Sequence, residues 1–281
     1  VKEGDKVKAG TPIFFDKYRD NIVFTSPISG EVSEIKRGAK RKLLEIIITA
    51  DAKSESLDFG EADPAKLNKE SVTEKLLKSG LWSMIKQRPY TVIANPEAKP
   101  KAIFISGFDN APLAPDYDFI LHGKGEAFQA GLDALTKLTE GKVNVNINTD
   151  HTKTKVLLNS KNVQVNEFKG KYPSGMVGPQ IAALNPINKG EVVWVVNPQD
   201  VINIGQLFLT GKVCSEKIIA VTGSEVLKPR YIKTSSGVCL KDILQNNVSD
   251  VEKRFISGNP LTGTHVEPNG FLGAYDHQIT V

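Results

Sequence analysis

Two glycine-rich runs are the places where this backbone could meet a ligand closely. His122-Gly123-Lys124-Gly125-Glu126 leads into a helical pattern, so free N–H groups and the Lys124 ammonium could hold an anion there. Glycines alone also build such a helix entry, and the run lacks the third glycine of a dinucleotide fingerprint. Tyr172-Pro-Ser174-Gly175-Met-Val-Gly178-Pro179 sets glycines around a helix start with no acidic residue nearby, which suits a flat ligand or a phosphate. Close packing of a helix on a sheet asks for the same glycines. The candidate ligand-binding residues are therefore Gly123, Lys124, Gly125, Ser174, Gly175 and Gly178, with the ligand unidentified. A third run, Gly205 to Lys212, is no P-loop. It has one residue too many, its lysine precedes Val213 rather than Ser or Thr, and it closes a helix instead of opening one.

Other reactive side chains give weaker signals. Asp116 and Asp118 are a carboxylate pair capable of acid–base or cation work, but no third ligand converges on them and a solvated loop is the simpler reading. Asp109 follows the apolar run Ile103–Ser106, where α/β sheets place ligands. Cys214 and Cys239 form no CxxC and have no neighbouring histidine, and His122, His151, His265 and His277 are scattered, which argues against zinc, iron–sulfur or disulfide chemistry. There is no G-x-S-x-G nucleophile elbow. The basic cluster Lys36, Arg37, Lys40, Arg41 and Lys42 reads as a solvated hairpin turn, or as a contact for an anionic ligand, a partner protein or lipid headgroups. No nucleic-acid partner is expected, because 36 basic against 32 acidic residues leave only a dispersed net charge of +4.

The elements that must position these groups fall into three units, as a chain of 281 residues suggests. Residues 1–52 read as strands and tight turns: Pro12–Phe15, a polar hairpin loop from Asp16 to Asn21, Ile22–Phe24, Glu31–Ile35 and Leu43–Thr49. Residues 53–190 begin with a polar linker. A helix with capping box Ser71–Glu74 is then expected over Glu70–Lys86, weakened at Gly80 and stopped by Pro89. From residue 100 strands and helices alternate: Ala102–Ser106, Glu126–Leu138, Val143–Ile147, Val163–Phe168 and Gly175–Leu184, which predicts a mostly parallel sheet of Rossmann-like form. Residues 191–281 read as strands around one short helix, an α+β unit of β-grasp type. Its strands are Glu191–Val196, Lys217–Thr222, Pro229–Ser235, Phe255–Ser257 and Phe271–Val281, the last two around a Gly/Pro/Asn-rich stretch, 258–270. A helix over Asp200–Leu209 is capped by Asn197 or Asp200, and the short helix is Leu240–Leu244 after a turn at Gly237. Trp82 and Trp194 belong to the core. The overall class is α/β, α+β in detail. No window approaches the ~18 apolar residues of a membrane span, and a cytoplasmic location is expected. The chain starts in mid-motif at Val1 without a methionine, so further N-terminal sequence is expected.

The first unit resembles lipoyl and biotinyl carrier domains. Val1-Lys-Glu-Gly-Asp-Lys-Val-Lys-Ala-Gly-Thr-Pro-Ile13 matches their strand–turn–strand, and Thr25-Ser-Pro-Ile-Ser-Gly-Glu-Val-Ser-Glu-Ile35 their second half. The carrier lysine would have to be Lys17, but Tyr18 and Arg19 follow it in place of small residues, and the hairpin reads as longer than a lipoyl one. The fold is expected without the modification. Over nearly the whole chain, Leu81-Trp-Ser-Met-Ile-Lys-Gln-Arg-Pro-Tyr90, Pro100 to Ala114, Ala127 to Leu135, Tyr172 to Gly178, Asn197 to Gly205, Lys228-Pro-Arg230 and Ser257 to Gly263 resemble the A subunits of bacterial sodium-translocating NADH:quinone oxidoreductases.

That resemblance implies a peripheral component of a respiratory complex that couples NADH oxidation and quinone reduction to sodium export. It would be held to the cytoplasmic face of the inner membrane by other subunits, with a structural and quinone-interacting role, and be non-catalytic in isolation. The family is related to the flavin- and NADH-binding subunit of respiratory complex I and to the C subunit of the Rnf complex. The G-R-G-G-x-G flavin loop of those relatives has no match here, since Ser174-Gly-Met-Val-Gly178 lacks the arginine and the glycine pair. No bound FMN or NADH is therefore expected, and quinone is the one candidate ligand. The alternative is a nucleotide- or flavin-binding oxidoreductase acting alone through the glycine runs at 123–125 and 174–178.

Overall fold

The computed structural model describes residues 1–281 and divides into three sheet-based units. In the first, β1 (Lys6–Val7), β4 (Gly30–Arg37) and β5 (Leu43–Ala50) form an antiparallel sheet, and β2 (Pro12–Asp16) pairs with β3 (Arg19–Thr25) in a hairpin. That hairpin is shorter than the sequence suggests. Asp16 pairs with Arg19, so only Lys17 and Tyr18 turn the chain, and Asp16 Oδ1 accepts the Tyr18 N–H at 2.8 Å. Arg19, Asp20 and Asn21 are polar because they face solvent from a strand, which is why they read as loop. The basic cluster lies at the β4–β5 connection, with Lys40 and Arg41 in the left-handed region (φ 53° and 60°) and Lys36 paired with Glu45 at 2.9 Å.

The polar linker then docks along the second unit: Phe59 N–H bonds Gly211 C=O, and Ala62 N–H bonds Phe208 C=O. Helix α1 (Lys69–Ser79) begins one turn before the expected capping box. Asn68 is its cap, its Oδ1 accepting from Ser71 N, and Gly80 ends it in the left-handed conformation. The expected helix over Glu70–Lys86 thus stops at Ser79. Leu81–Met84 is a single 3₁₀ turn and Lys86–Arg88 becomes strand β6, paired with β7 (Val92–Ile93). A Cβ on Gly80 would lie 2.5 Å from Thr25 Oγ1, so the break also lets the first unit seat against the second.

The remaining elements of the second unit are β8 (Ala102–Ser106), α2 (Tyr117–Ile120), α3 (Gly125–Thr136), β9 (Lys142–Asn148), α4 (Lys155–Leu158), β10 (Gln164–Phe168), α5 (Val177–Leu184), β11 (Val193–Val195) and α6 (Pro198–Thr210). The sheet runs β10-β9-β8-β11-β6-β7, parallel through β11 and antiparallel beyond it. Strand β8 reads as an unbroken apolar run because both its faces are covered. Ile103 and Ile105 face the main core with Phe128, Leu132 and Phe208, whereas Ala102 and Phe104 face Ile181 of α5. On β9, Val143, Val145 and Ile147 face the main core, while the alternate asparagines are buried in a polar ladder on the other side. Asn166 Nδ2 donates to Asn144 and Asn146 Oδ1, and Asn146 Nδ2 donates to Gln180 Oε1.

Strand β11 and helix α6 belong to this sheet and its covering layer, so a division at residue 190 separates β11 from its own sheet. The strands change sheet only after Gly211, the left-handed end of α6. The third unit comprises β12 (Glu216–Thr222), β13 (Arg230–Ser235), α7 (Leu240–Leu244), β14 (Phe255–Ser257), β15 (Thr264–Val266) and β16 (Gln278–Thr280). Its order, β13-β12-β16-β14-β15, with β12 and β16 parallel at the centre and hairpins on both sides, is β-grasp topology. Here β15 lies inside the Gly/Pro/Asn-rich stretch 258–270, and of the expected strand Phe271–Val281 only Gln278–Thr280 joins the sheet, Phe271 making an isolated bridge to Cys239.

Candidate functional site

The chain leaves β8 toward β9 and β10 on one side, then returns to β11 on the other, so the carboxyl ends of β8 and β11 flank a topological switch point. Open α/β sheets bind ligands there. A cavity of about 540 Å³ occupies that position. The β8 end contributes Ser106, Phe108 and Asp109, the β11 end Val196 and Asn197, and β6 contributes Lys86 and Arg88. The loop before α5 supplies Tyr172 and Gly175, while Asn259, Thr262 and Tyr275 reach in from the β-grasp unit.

Several titratable groups on these walls are held away from water. Asp200, in the first turn of α6, is 2% exposed, and its Oδ1 is enclosed without a hydrogen-bond partner. Burial pushes its carboxyl up to about 6, against the opposing pull of Lys217 and Lys86. Burial lowers Lys86 to about 8, with Asp200 working the other way, and its Nζ stands 3.3 Å from the centroid of the Tyr275 ring. Arg88 Nε is enclosed and unpartnered as well. Asp109 is raised by burial although its Oδ1 accepts the Ala111 N–H. The Tyr117 phenol is raised well above its ordinary value, chiefly by burial. Its oxygen accepts from Asn197 Nδ2 at 2.7 Å, which leaves its O–H as a donor on the cavity wall. Tyr275 is 41% exposed, but its hydroxyl turns inward and donates to Ser83 C=O, and partial burial raises the phenol.

Of the residues singled out in the sequence, Asp109 and Gly175 line this cavity. Asn110 clasps the Gly175 loop: Nδ2 donates to Ser174 Oγ at 2.9 Å, and Oδ1 accepts from Gly175 N at 3.0 Å. A Cβ on Gly175 would stand 2.8 Å from Asn110 N, so close backbone approach is what the glycine permits. Ser174 belongs to the clasp, and Gly178 sits in the first turn of α5 with open space around it. Gly123, Lys124 and Gly125 lie elsewhere, at the start of α3. There Lys124 Nζ meets Glu216 Oε1 at 3.3 Å, on a smaller cleft of about 180 Å³ against the β-grasp unit. The structure therefore does not bring the two glycine runs together. Asp116 caps α2 by accepting the Asp118 N–H, and Asp118 Oδ2 accepts the Lys153 N–H, so each carboxylate serves a turn. Sequence reasoning passed over Lys86, Arg88, Tyr117, Asp200 and Tyr275. The one available signal was an acidic residue in the first turn of an otherwise apolar helix.

The ammonium of Lys86 and the phenol of Tyr117, on partly apolar walls, can hold a planar molecule by its edge oxygens. Asp109 and Asp200 stand at the strand and helix ends where an α/β sheet would hold a phosphate, while Lys86 and Arg88 supply positive charge from β6. Comparison with known proteins agrees with the division into sheets. Residues 1–51 match the NqrA N-terminal barrel-sandwich hybrid domain, 67–213 the NqrA second alpha/beta domain and 218–267 the NQRA C-terminal domain. The NqrA protein of the Na(+)-translocating NADH-quinone reductase from Yersinia pestis bv. Antiqua is 38% identical over 287 aligned residues, covering 100% of this chain and 63% of the relative. Those of Marinomonas sp. and Vibrio alginolyticus are equally similar, so the chain spans about two thirds, 63%, of the length of the relatives it matches. Among solved structures, an air-oxidised NAD+-reducing [NiFe]-hydrogenase aligns with TM-score 0.47 at 16% identity, covering 66% of this chain and 40% of that one. The three domain matches in register, together with 38% identity along the whole chain, place it in the NqrA family of Na(+)-translocating NADH-quinone reductase components.

Proposed function

We propose that this chain serves as the NqrA component of a membrane respiratory complex that couples NADH oxidation and quinone reduction to sodium export. In this reading it joins the other subunits peripherally on the cytoplasmic face of the inner membrane, and its switch-point cavity receives a quinone head group. No helix is long and apolar enough to cross a membrane, so contact with the bilayer would run through partner subunits. The observation that carries the ligand reading is the cavity wall itself. Lys86 and Tyr117 can donate to quinone oxygens between aromatic and aliphatic neighbours, and the strand and helix ends where the phosphates of FMN or NADH would sit carry Asp109 and Asp200.

Calorimetric titration of the chain with a short-chain benzoquinone, FMN and NADH tests this. Saturable binding of the quinone alone is expected. A stoichiometric flavin spectrum, or NADH binding abolished by Gly175→Val, would favour the alternative of a self-sufficient nucleotide-binding oxidoreductase. One observation speaks for that alternative: the cavity stands where α/β sheets bind dinucleotides. For the assembly role, crosslinking within an intact complex should trap this chain against other subunits. Failure to co-purify with them would remove it.

A further inference from the structure

We infer that the cavity distinguishes the two redox forms of its ligand and binds the dihydroxy form, the hydroquinone, in preference to the quinone, through the unpartnered buried carboxylate of Asp200. This rests on the quinone reading above and goes beyond it, since that reading leaves the two forms equivalent. Asp200 lies in the first turn of α6 and opens on the cavity with one oxygen enclosed and unsatisfied. An ionised carboxylate only accepts hydrogen bonds. A ligand that packs against it must bring an N–H or O–H, or leave the acceptor bare in a poorly solvated site. A quinone has only acceptor oxygens there, whereas a hydroquinone has an O–H.

The other polar groups on the wall do not cancel this difference. Lys86 Nζ and the Tyr117 O–H are donors, and a phenolic oxygen accepts from them much as a carbonyl does. The charged and titratable groups facing Asp200 are Lys86 from β6 and Lys217 from β12, with the phenols of Tyr117 and Tyr275 near it. Lys217 is buried, donates to the Ala274 carbonyl and has Asp276 near its charge; His277 lies beyond it, kept neutral by burial and by the Lys217 charge. Lys86 and both phenols remain protonated from weakly acid to neutral pH, so the charge changes on this wall belong to its carboxyls: Asp200, which faces Lys86, and Asp109 at the end of β8, which burial also raises.

Anaerobic calorimetry of the chain with a water-soluble benzoquinone and with its hydroquinone tests the inference. At about pH 7 the hydroquinone should bind roughly ten- to a hundredfold more tightly, the range expected for one hydrogen bond to a charged acceptor. At about pH 5 the carboxyl is protonated and can itself donate, so the ratio should collapse toward one. Asp200→Asn, whose amide also donates, should bring the two affinities together at about pH 7, and a roughly tenfold or greater preference persisting in it would overturn the assignment to Asp200. If that variant fails to fold, the same pH series on Asp109→Asn decides the matter: a preference still lost between about pH 7 and about pH 5 belongs to Asp200, and one already absent at about pH 7 overturns the assignment. Equal affinities at both pH values would overturn the redox preference and leave the quinone reading standing. Binding of neither form would remove the quinone reading and this inference with it.

Discussion

Asp200 costs the fold something, and the sign of that cost can be measured. Its carboxyl sits near 6 in the folded chain, above the ordinary 3.8, because burial without a hydrogen bond disfavours the charged form. The folded state therefore holds its proton more tightly than the unfolded one. The stability associated with that proton is present below about pH 4 and is lost as pH rises through about 6. By linkage Asp200→Asn should stabilise the chain by on the order of 2–3 kcal/mol at neutral pH and by little near pH 4. Urea unfolding at the two pH values checks this, and a destabilised variant at neutral pH would mean that the carboxylate has a partner in solution. The gap between sequence and site is widest at this scale. Gly175 was legible because glycines around a helix start mark close backbone approach. Asp200 was not, because the first turn of a helix is where an acidic residue ordinarily serves the helix dipole in water. Lys86 and Tyr275 could not be linked by any local pattern: their contact depends on the β-grasp unit folding back over β6.

At the scale of elements, two helices carry more constraint than their periodicity reveals. Helices α3 and α6 cover the same face of the sheet and touch backbone to backbone. A Cβ on Gly205 would fall 1.7 Å from the Ala127 carbonyl oxygen, and one on Gly131 2.0 Å from that of Val201. Each glycine lowers intrinsic helix stability by about 1 kcal/mol, and the close approach offsets it. Gly205→Ala should therefore destabilise the chain by about 2–4 kcal/mol despite alanine's better propensity, read as a lower urea midpoint with an unchanged slope. A stabilised variant would show that the helices can separate without loss. Element type was mostly legible from period: the apolar run of β8, the helical spacing of α3 and the alternation of β9 all announced themselves. Partners were not. The alternation within Val143–Ile147 gave no sign of what covers its asparagines: Asn166 and Gln180 close a buried polar ladder over Asn144 and Asn146. The apolar spacing of Leu81, Trp82 and Ile85 continued the helical pattern past Gly80, because a 3₁₀ turn and a strand can bury the same side chains toward the same core.

The whole molecule is held together by side chains that treat a neighbouring unit as an extension of their own. Thr25 donates to Ser79 C=O between the first and second units, and Ser215 donates to Pro27 C=O across to the third. Tyr231 stacks on Phe119 at 4.5 Å while its hydroxyl accepts the Asp116 N–H. The most consequential of these is Gln199 on α6. Its Oε1 accepts from Ile218 N at 2.8 Å and its Nε2 donates to Ile218 C=O at 2.9 Å, so it pairs with β12 as another strand would. The same amide lies 3.0 Å from His277 Nδ1, beside β16. The β-grasp core has only nine buried apolar residues, little for independent stability, so the unit depends on this seam. Gln199→Leu keeps much of the volume but strands both backbone groups of Ile218, which should cost about 2–5 kcal/mol. That loss belongs to the seam, so it should uncouple the units. A single thermal transition in the parent should split, amides of β12 and β16 exchanging sooner than those of β8 and β9. Because Asn259, Thr262 and Tyr275 enter the cavity from the β-grasp side, the same variant should weaken ligand binding without touching the ligand. If exchange accelerates equally in all sheets, the seam is not a boundary of cooperativity and the three units fold as one body.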